Sequence, residues 1–239
     1  MTGHDAVWHE LECGGYTADL PLWRALAEQE AGPILDVGAG AGRVALDLAA
    51  RGHEVTAVDR DPRLVDELRE RATAGGRQID ARVGDAQALD LGQRRFGLVL
   101  VPMQTIQILG DRPAFLAGAR RHLTPGGLFA AALADALEGW DSDEILLPAP
   151  DLAECEGWHF ASQPVAVRER PGWTTIERIR TTLAPDGTRT AEADSIDLAH
   201  LDEATLHAEG AAAGLIPQPG VRIEATEHHV GSRVVLLRA

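Results

Sequence analysis

The sequence predicts a doubly wound α/β domain with a seven-stranded, mostly parallel sheet and an antiparallel β insertion. Three observations support this fold class. Up to residue 135, short apolar runs alternate with helical patterns, which is typical of βαβ units. After Asp135 the pattern changes to the period-two alternation of antiparallel strands. Near the end of the chain, a hairpin around Gly231 predicts one terminal strand antiparallel to the main sheet.

The first half of the chain predicts five strands with intervening helices. Asp19 is expected to cap a helix that runs to about Glu30. Asp61 followed by Pro62 is typical of an N-cap and a first helical turn, and the Pro-Gly step in 124–127 suits a type II turn. The predicted strands are 34–37, 54–58, 79–83, 96–101 and 128–133, and two further helices are predicted at about 43–50 and 113–122.

The second half of the chain contains the predicted insertion and the last elements of the main sheet. Residues 175–183 and 188–198 alternate on either side of the turn Pro185-Asp186-Gly187, which predicts a β-hairpin. A helix follows at about 202–213, and the final strands are predicted at 221–225 and 233–237.

The charge and composition of the chain disfavour several classes of partner. The net charge is −15, and all 22 basic residues are arginine. Nucleic-acid binding depends on cationic side chains that neutralise phosphates, so we expect no nucleic-acid partner. Cys13 and Cys155 match neither a disulfide framework nor a metal-ligand spacing. We find no signal region and no apolar run of membrane-spanning length, so we expect a cytoplasmic protein without a membrane partner.

A glycine-rich turn follows the first predicted strand and predicts a ligand site. Asp36 precedes the run Gly38-Ala39-Gly40-Ala41-Gly42-Arg43. Such a turn aims backbone N–H groups and a helix N-terminus at the edge of a sheet. The structural alternative is a tight strand-to-helix turn that simply requires glycine. The dinucleotide pattern needs glycine at the sixth position of this motif, where the chain has Arg43.

Two further acidic positions follow the next two strands. Asp59 lies 21 residues after Gly38, where an acid can accept hydrogen bonds from ribose hydroxyls. Its alternative role is helix capping, for which Asp61 is better placed. Asp85 occurs in Val83-Gly84-Asp85-Ala86, and a turn aspartate is the alternative there.

These motifs, together with Leu123-Thr124-Pro125-Gly126-Gly127, resemble the class I S-adenosylmethionine-dependent methyltransferases, in particular small-molecule enzymes of the methyltransferase-domain-25 type. The resemblance covers residues 30–135. It implies a Rossmann-like fold, S-adenosyl-L-methionine as cofactor, and an adenine contact by Asp85. Asp36 either orients the methionine end or ties down the glycine turn. The implied cofactor-binding residues are Tyr16, Asp36, Gly38, Ala39, Gly40, Gly42, Asp59, Arg60, Gly84, Asp85, Ala86, Val101, Pro102 and Met103.

With this resemblance, the chain divides into four predicted parts. Residues 1–30 are expected to form an N-terminal helical cap, 31–135 the cofactor-binding core, 136–200 an antiparallel β lid for the acceptor, and 201–239 the last helix and two final strands of the core. The position of the insertion resembles that of the acceptor lid in small-molecule methyltransferases. The expected activity is N- or O-methylation of a small molecule, neutral or cationic.

The acceptor-binding and catalytic residues are less specified by the sequence. Gln104 and Gln107 are expected to hydrogen-bond the cofactor or the acceptor. The alternative is that they are solvent-facing side chains of a loop. The substrate-binding candidates in the insertion are Trp140, Trp158 and Trp173, whose alternative role is the insertion's own small core. His159, Asp135 and His200 are candidate bases, each with a structural alternative, and an amine acceptor needs none.

No metal is expected, because the fourth strand ends in Val101-Pro102-Met103-Gln104 without a carboxylate. Two other functions remain open at this point. One is a non-catalytic S-adenosylmethionine-binding module, and the other is a nicotinamide-dependent oxidoreductase, which the glycine spacing disfavours.

Overall fold

The computed structural model describes residues 4–135, 137–141, 147–227 and 229–239. The chain forms two compact units. Unit 1 comprises the residues up to Tyr16 together with the insertion that ends at His200, and unit 2 comprises 17–135 and 201–239. The sequence grouped residues 17–30 with the N-terminal cap, whereas the structure places them in unit 2. None of the helices in the described part of the chain is long and apolar enough to span a membrane.

Unit 2 is built on a seven-stranded sheet. Its strands are β1 Ile34–Val37, β2 Val55–Asp59, β3 Ile79–Val83, β4 Phe96–Val101, β5 Leu123–Ala134, β11 Ile216–Ile223 and β12 Ser232–Arg238. The spatial order is β11-β12-β5-β4-β1-β2-β3. The pairs among β1 to β5 are parallel, whereas β12 is antiparallel to both β5 and β11. The predicted fold class, with one antiparallel strand near the end, is therefore confirmed.

Helices cover both faces of this sheet, as the buried runs in the central strands require. The helices of unit 2 are α2 Leu20–Gln29, α3 Arg43–Ala50, α4 Pro62–Ala74, a 3₁₀ turn Ala86–Ala88, α5 Thr105–Ile108, α6 Arg112–His122 and α7 Glu203–Ala212. One apolar cluster joins α2, α3 and α4 to the sheet, and a second joins α5, α6 and α7 to the opposite face. All six residues of β4 are buried, since both faces of that strand are covered.

Two local predictions differ from the structure. Asp19 occupies the N-cap position of α2, but its side chain makes no capping hydrogen bond. The 124–127 turn, by contrast, has Gly126 at a φ of 77°, as the predicted type II turn requires, and forms a bulge within β5 in which the Gly126 N–H donates to the carbonyl of Ala239 at 2.9 Å. The other difference is at the last strands. β11 begins at Ile216 instead of residue 221, with Pro217 in it. An edge strand tolerates this proline because one side of its backbone has no ladder to complete.

Unit 1 combines an N-terminal helical segment with a five-stranded antiparallel sheet. The segment contains α1 Asp5–His9 and a π-helical turn Glu10–Gly14. The strands are β6 Trp140–Asp141, β7 Asp151–Cys155, β8 Trp158–Arg170, β9 Trp173–Leu183 and β10 Arg189–Ala199. β9 lies between β8 and β10 and pairs with both. β6 and β7 both pair with β8. The predicted hairpin is the β9–β10 pair, in which Leu183 faces Arg189.

Candidate functional site

The carboxyl ends of β1 to β5 lie at one edge of the sheet in unit 2, because these strands are parallel. β1 lies between β2 and β4, and the chain reverses its strand order at this point. In open α/β sheets, ligands bind outside the carboxyl ends of the strands at such a switch point. The glycine turn, Asp59 and Asp85 all follow strands that end at this edge. The topology therefore brings the sequence-predicted motifs to one side of the sheet.

The glycine turn has a backbone that only glycine adopts without strain. Gly38, Gly40 and Gly42 have φ values of 71°, 55° and 93°. A Cβ on Gly38 would lie 2.5 Å from Cγ2 of Thr105, so the side of this turn is also too close-packed for a side chain. The turn is fastened to β2, since the Gly38 N–H donates to the carbonyl of Val58 at 2.8 Å.

Asp59 connects the end of β2 to the glycine turn. The Gly40 N–H donates to Oδ2 of Asp59 at 2.8 Å, and the Asp61 N–H donates to Oδ1 at 2.9 Å. Asp61 caps α4 by accepting from the Arg63 N–H, which confirms its predicted role. Asp59 is therefore not the cap of α4. A carboxylate has about four lone-pair sites, so both of its oxygens retain capacity to accept from a ligand.

Asp36 is a buried acid in the central strand β1, where it faces Ala57 on one side and Leu100 on the other. It is 1% exposed, and neither carboxylate oxygen has a hydrogen-bond partner among the described residues. Burial raises the pKa of Asp36 to about 7, although the positive charge of Arg43 opposes the rise. The nearby Asp59 raises this pKa further. A buried acid that is only partly compensated by Arg43 therefore lies two residues before the glycine turn.

Arg43, the basic residue of the glycine motif, is bound to another acid. Its two Nη atoms lie 2.6 and 2.7 Å from the two carboxylate oxygens of Asp19, which is 1% exposed. The Trp23 indole N–H donates to the same carboxylate at 2.7 Å. This buried, bidentate pair connects the first turn of α2 to the first turn of α3. Its participants were not recognised as a group in the sequence, because 24 residues separate Asp19 from Arg43.

The third acidic position is more open than the first two. Asp85 is exposed and follows β3, and its Oδ1 accepts from the Gln87 N–H at 2.9 Å, which caps the 3₁₀ turn. Gly84 before it and Ala86 after it are half-buried, and Arg60 beyond β2 is exposed. Asp85 therefore caps a turn, which was the alternative role given to it from the sequence. Its second carboxylate oxygen, Oδ2, is not used in this cap.

The segment after β4 contains a strained residue. Met103 has a φ of 55°, in the left-handed region that residues with a side chain rarely adopt and that often marks a functional site. It follows the buried Val101 and Pro102. Gln107 is 6% exposed, and its Oε1 accepts from the Ala134 N–H at 2.8 Å. Gln107 thus joins α5 to the end of β5, whereas Gln104 is half-buried at the N-cap of α5.

The glycine turn, the acids and the end of β4 lie within a segment that a protein-family model describes. Residues 34–127 match the methyltransferase domain family. This segment, which is about two fifths of the chain, is therefore similar to methyltransferase domains. The match begins with β1 and ends in the bulge of β5, so it covers the carboxyl ends of β1 to β4.

Curated relatives match the same part of the chain. A ubiquinone biosynthesis O-methyltransferase of Cereibacter sphaeroides is 36% identical over 95 residues, which are 40% of this chain and 38% of the relative. One from Methylocella silvestris is 37% identical over 99 residues, 41% of this chain and 38% of the relative. The chain therefore spans about two fifths of the length of these relatives.

Solved structures resemble the whole chain in fold. The sugar N-methyltransferase KedS8 from Streptoalloteichus matches with a TM-score of 0.74 and 20% identity, over 99% of this chain and 93% of that one. The amino pentose methyltransferase CalS10 from Micromonospora echinaspora, with S-adenosylmethionine bound, matches with a TM-score of 0.70 and 22% identity, over 98% and 97%. The methyltransferase CcbJ from Streptomyces caelestis matches with a TM-score of 0.69 and 23% identity, over 94% and 97%.

Tyr16 and the three candidate tryptophans belong to unit 1. Tyr16 is the last residue of the N-terminal segment and is 6% exposed. Trp173 is 46% exposed, and Trp140 and Trp158 are half-buried. The buried apolar side chains of unit 1 are different ones: Trp8, Tyr16, Phe160, Ala166, Val167, Ala184, Leu198 and Ala199. The three predicted tryptophans are therefore not among the buried apolar residues of the insertion.

The three candidate bases have different surroundings. Asp135, directly after β5 of the methyltransferase domain, forms an ion pair with Nη2 of Arg222 at 2.8 Å. In unit 1, His200 has its Nε2 2.9 Å from Oγ1 of Thr174. His159 is exposed on β8, with Nδ1 3.8 Å from a carboxylate oxygen of Glu154. The Asp135 carboxylate is thus engaged, whereas His200 is oriented by a neutral hydroxyl group.

Proposed function

We propose that the protein is an S-adenosylmethionine-dependent methyltransferase that methylates a small molecule at nitrogen or oxygen. The observation that carries this proposal is the acidic character of the glycine turn. Asp36 is buried before it without a hydrogen-bond partner, and Asp59 accepts from the turn's own backbone. A site of this kind favours a ligand that brings positive charge and hydroxyl groups.

S-adenosylmethionine fits these residues. Its sulfonium and ammonium are cations, and its ribose carries two hydroxyl donors. Asp59 and Asp36 would hold the ribose and the methionine end, and Gly38 and Gly40 allow a close approach to the backbone. Asp85 and Ala86 would line the adenine, with Arg60, Gly84, Val101, Pro102 and Met103 at neighbouring positions of the same edge. Tyr16 is also kept as a proposed cofactor-binding residue, on the resemblance to the methyltransferases alone.

A nicotinamide dinucleotide fits the same residues poorly. Its pyrophosphate needs positive charge or unopposed N–H groups at the glycine turn. The basic residue of the motif, Arg43, is bound by both Nη atoms to Asp19. The Gly40 N–H is already donated to Asp59. Two acids within the motif region would add repulsion, so the geometry favours the cationic cofactor.

The chemistry assigned to the chain's own residues is alignment. When bound, S-adenosylmethionine supplies an electrophilic methyl group on its sulfonium. Holding the acceptor in line with that group contributes about 7–11 kcal/mol through proximity. An amine that arrives neutral needs no base, whereas a hydroxyl acceptor needs one. His200, His159 and Asp135 are the proposed candidates for that proton. The carboxylate of Asp135 is already engaged in an ion pair with Arg222, which favours the histidines.

We propose that the insertion in unit 1 binds the acceptor. It interrupts unit 2 directly after β5, whose carboxyl end lies at the ligand-binding edge of the sheet. Trp140, Trp158 and Trp173 are not fully buried, so part of each indole can contact a flat or apolar ligand, although the ring of Trp158 also lies 4.8 Å from that of His4. Gln104 and Gln107 are proposed to contact the cofactor or the acceptor. The net charge of −15 argues against a nucleic-acid acceptor.

Methyl transfer from labelled cofactor tests the proposal. The purified protein would be incubated with S-adenosylmethionine carrying a labelled methyl group and a panel of small amines and phenols. We expect labelled product that depends on both protein and acceptor, and loss of that product in Asp59→Ala. A protein that binds the cofactor but labels no member of a broad panel would be a non-catalytic binding module instead.

A further inference from the structure

Two arginines on β9 lie side by side on one face of the sheet in unit 1. Arg178 and Arg180 alternate with residues of the opposite face, as positions two apart in a strand do. The carboxylate of Glu12, from the N-terminal segment of the same unit, lies against both. Glu12 is mostly buried, since 7% of its side chain is exposed. One acid therefore serves two guanidinium groups.

Arg180 is fully engaged. Its Nε and Nη2 donate to the two oxygens of Glu12 at 2.9 and 2.7 Å, which is a bidentate pair. Its Nη1 lies 2.9 Å from Asp194 on β10. Its guanidinium also lies over the ring of Trp8, 5.5 Å from the centroid. Ser162 adds a hydrogen bond to Glu12 at 2.8 Å. The role of Arg180 is thus to hold the N-terminal segment on the sheet.

Arg178 is not engaged to the same extent. Its one ion pair within the described residues joins Nη1 to Oε2 of Glu12 at 2.8 Å. Its Nε is buried and has no hydrogen-bond acceptor. Asp194 is its direct cross-strand neighbour in the β9–β10 register, yet the Asp194 carboxylate pairs with Arg180. The two acids near Arg178 therefore leave its Nε edge unpaired.

An arginine in this state has a specific chemical preference. The Nε–H and the adjacent Nη–H form a planar fork that matches two oxygens of a carboxylate or a phosphate. A single water satisfies one such donor but does not neutralise the guanidinium. The side chain of Arg178 is 17% exposed although its Nε is buried, so an anionic group that arrives from solvent reaches the Nε–H when this side chain shifts. By contrast, Arg168 on the opposite face of the sheet is paired with both Asp141 and Glu177.

From this contrast we infer that Arg178 is an anion-binding residue that receives a carboxylate or phosphate group of the methyl acceptor. The inference rests on the proposed function of unit 1 as the acceptor-binding unit. It narrows the acceptor to molecules that carry an anionic oxygen group at a distance from the methylated atom. This differs from the neutral or cationic acceptor that was expected from the sequence.

The anion site is testable without knowing the acceptor. Protein with ¹⁵N-labelled arginine side chains would be titrated with inorganic phosphate or acetate, with sodium chloride at equal ionic strength as reference. We expect one Nε–H resonance to shift saturably with each oxyanion and not with chloride. That resonance should be missing in Arg178→Gln and retained in Arg189→Gln. Arg189 is a matched control, because it is exposed on β10 of the same unit and has no carboxylate partner in the described chain.

A second variant guards against loss of folding. Arg178→Lys keeps the charge but lacks the fork, so we expect it to weaken oxyanion binding at least about tenfold while the other Nε–H resonances keep their positions. If the resonance does not move with either oxyanion, or moves equally with chloride, Arg178 is not an anion site. Equal binding to Arg178→Gln would likewise overturn the inference.

Methyl transfer separates this inference from the proposed function. Acceptors would be tested in pairs that differ only in a carboxylate or phosphate group. We expect the anionic member of a productive pair to have the lower KM, and this advantage to disappear in Arg178→Gln and persist in Arg189→Gln. An advantage that persists in Arg178→Gln would contradict the inference and leave the methyltransferase activity in place. A saturable shift of the Arg178 resonance without any methyl transfer would support the anion site and contradict the proposed function.

Discussion

The protonation of Asp36 couples the folding of unit 2 to pH. In the folded chain, burial raises the pKa of Asp36 from 3.8 to about 7. A folded-state pKa above the unfolded value means that the folded form binds the proton more tightly. The resulting stabilisation is complete below the unfolded pKa and is lost as the pH rises through about 7. Between these values, the protein should lose stability because Asp36 is ionised in the unfolded chain and still protonated in the folded one.

Asp36→Asn should remove this dependence, because the amide has a similar shape and does not titrate. From the two pKa values, 3.8 and about 7, the free energy of unfolding of Asp36→Asn relative to the wild type should rise by up to about 4 kcal/mol between pH 4 and pH 8. Urea denaturation of both proteins at the two pH values measures the difference. If the difference in free energy of unfolding between the two proteins is the same at pH 4 and pH 8, the folded-state pKa of Asp36 is not raised.

Asp59 and Asp61 are neighbours with separable roles. Asp59→Ala should weaken binding of S-adenosylhomocysteine by about 1.5–3 kcal/mol, as expected for lost hydrogen bonds to a charged group. Asp61→Ala should instead lower the free energy of unfolding by about 0.5–2 kcal/mol, as a lost helix cap, and leave the ligand affinity unchanged. Calorimetry and denaturation of each variant test both statements. An exchange of the two phenotypes would show that the roles are assigned to the wrong residues.

The contrast between Asp61 and Asp19 shows what local sequence predicts. The cap by Asp61 was predicted correctly because Pro62, its helix and its hydrogen-bond partner Arg63 are all adjacent in sequence. Asp19 has the same local appearance, but its carboxylate is bound by Arg43 and Trp23. A buried arginine is a stronger partner for a carboxylate than a backbone N–H at a helix end. The position of Arg43 relative to Asp19 depends on the packing of two helices, which single-residue signals do not contain.

At the scale of elements, two bidentate ion pairs connect α2 to α3. Arg43 and Asp19 form the buried one, with side-chain exposures of 10% and 1%. Arg24 and Asp47 form the more open one, with exposures of 30% and 21%. The two pairs have the same chemistry and join the same helices, so they form a matched set for the effect of burial.

Asp19→Asn should destabilise unit 2 far more than Asp47→Asn. Removing one partner of a buried pair leaves an uncompensated charge, which costs about 3–5 kcal/mol. Removing one partner of a solvent-accessible pair costs about 1 kcal/mol or less. Chemical denaturation of both variants gives the two values. Equal values would mean that solvent reaches the Arg43 side chain in the folded protein.

Variants of the three tryptophans of the insertion can show whether these residues bind the acceptor or form a structural core. Replacing Trp140, Trp158 or Trp173 with Leu should raise the acceptor KM or lower kcat, while the cofactor Kd stays near its wild-type value. Trp8→Leu is the control for a core residue, because Trp8 is 5% exposed and packs on Phe160 with ring centroids 5.2 Å apart. That variant should lower the melting temperature.

If all three insertion variants behave like Trp8→Leu, lowering the melting temperature and leaving acceptor kinetics unchanged, these tryptophans are structural. The acceptor would then bind near the N-terminal segment around Tyr16 instead.

The elements themselves were predicted to different degrees. The parallel strands of unit 2 were recognised because buried central strands are continuous apolar runs, as in β4. The sequence did not predict that residues 4–16 belong to the same structural unit as the insertion. This grouping depends on Glu12, whose partners Ser162 and Arg180 lie 150 and 168 residues away in sequence. Local patterns carry no information about such contacts. The same distance in sequence concealed Arg178 as a candidate site residue.

At the scale of the whole molecule, the excess of acidic residues favours cationic ligands. The chain has 37 acidic and 22 basic residues, and Asp36, Asp59 and Asp85 lie in or just after the carboxyl-terminal halves of β1, β2 and β3 of unit 2. A field of this sign attracts cations and repels polyanions over distances of about the Debye length. The local site and the overall charge therefore act in the same direction on the choice of cofactor.

Ligand affinity measured against salt concentration tests this conclusion. S-adenosylmethionine carries one more positive charge than S-adenosylhomocysteine, and NAD and NADP carry negatively charged phosphates. We expect both adenosyl ligands to bind in calorimetry and the dinucleotides not to bind. Because salt screens long-range attraction, the affinity of S-adenosylmethionine relative to S-adenosylhomocysteine should fall as sodium chloride is raised. Asp59→Ala should weaken both ligands without changing that trend. Tighter binding of NAD than of either adenosyl ligand would overturn the cofactor assignment. If the ratio of the two affinities does not depend on salt, the preference for S-adenosylmethionine arises only from short-range contacts with Asp36 and Asp59.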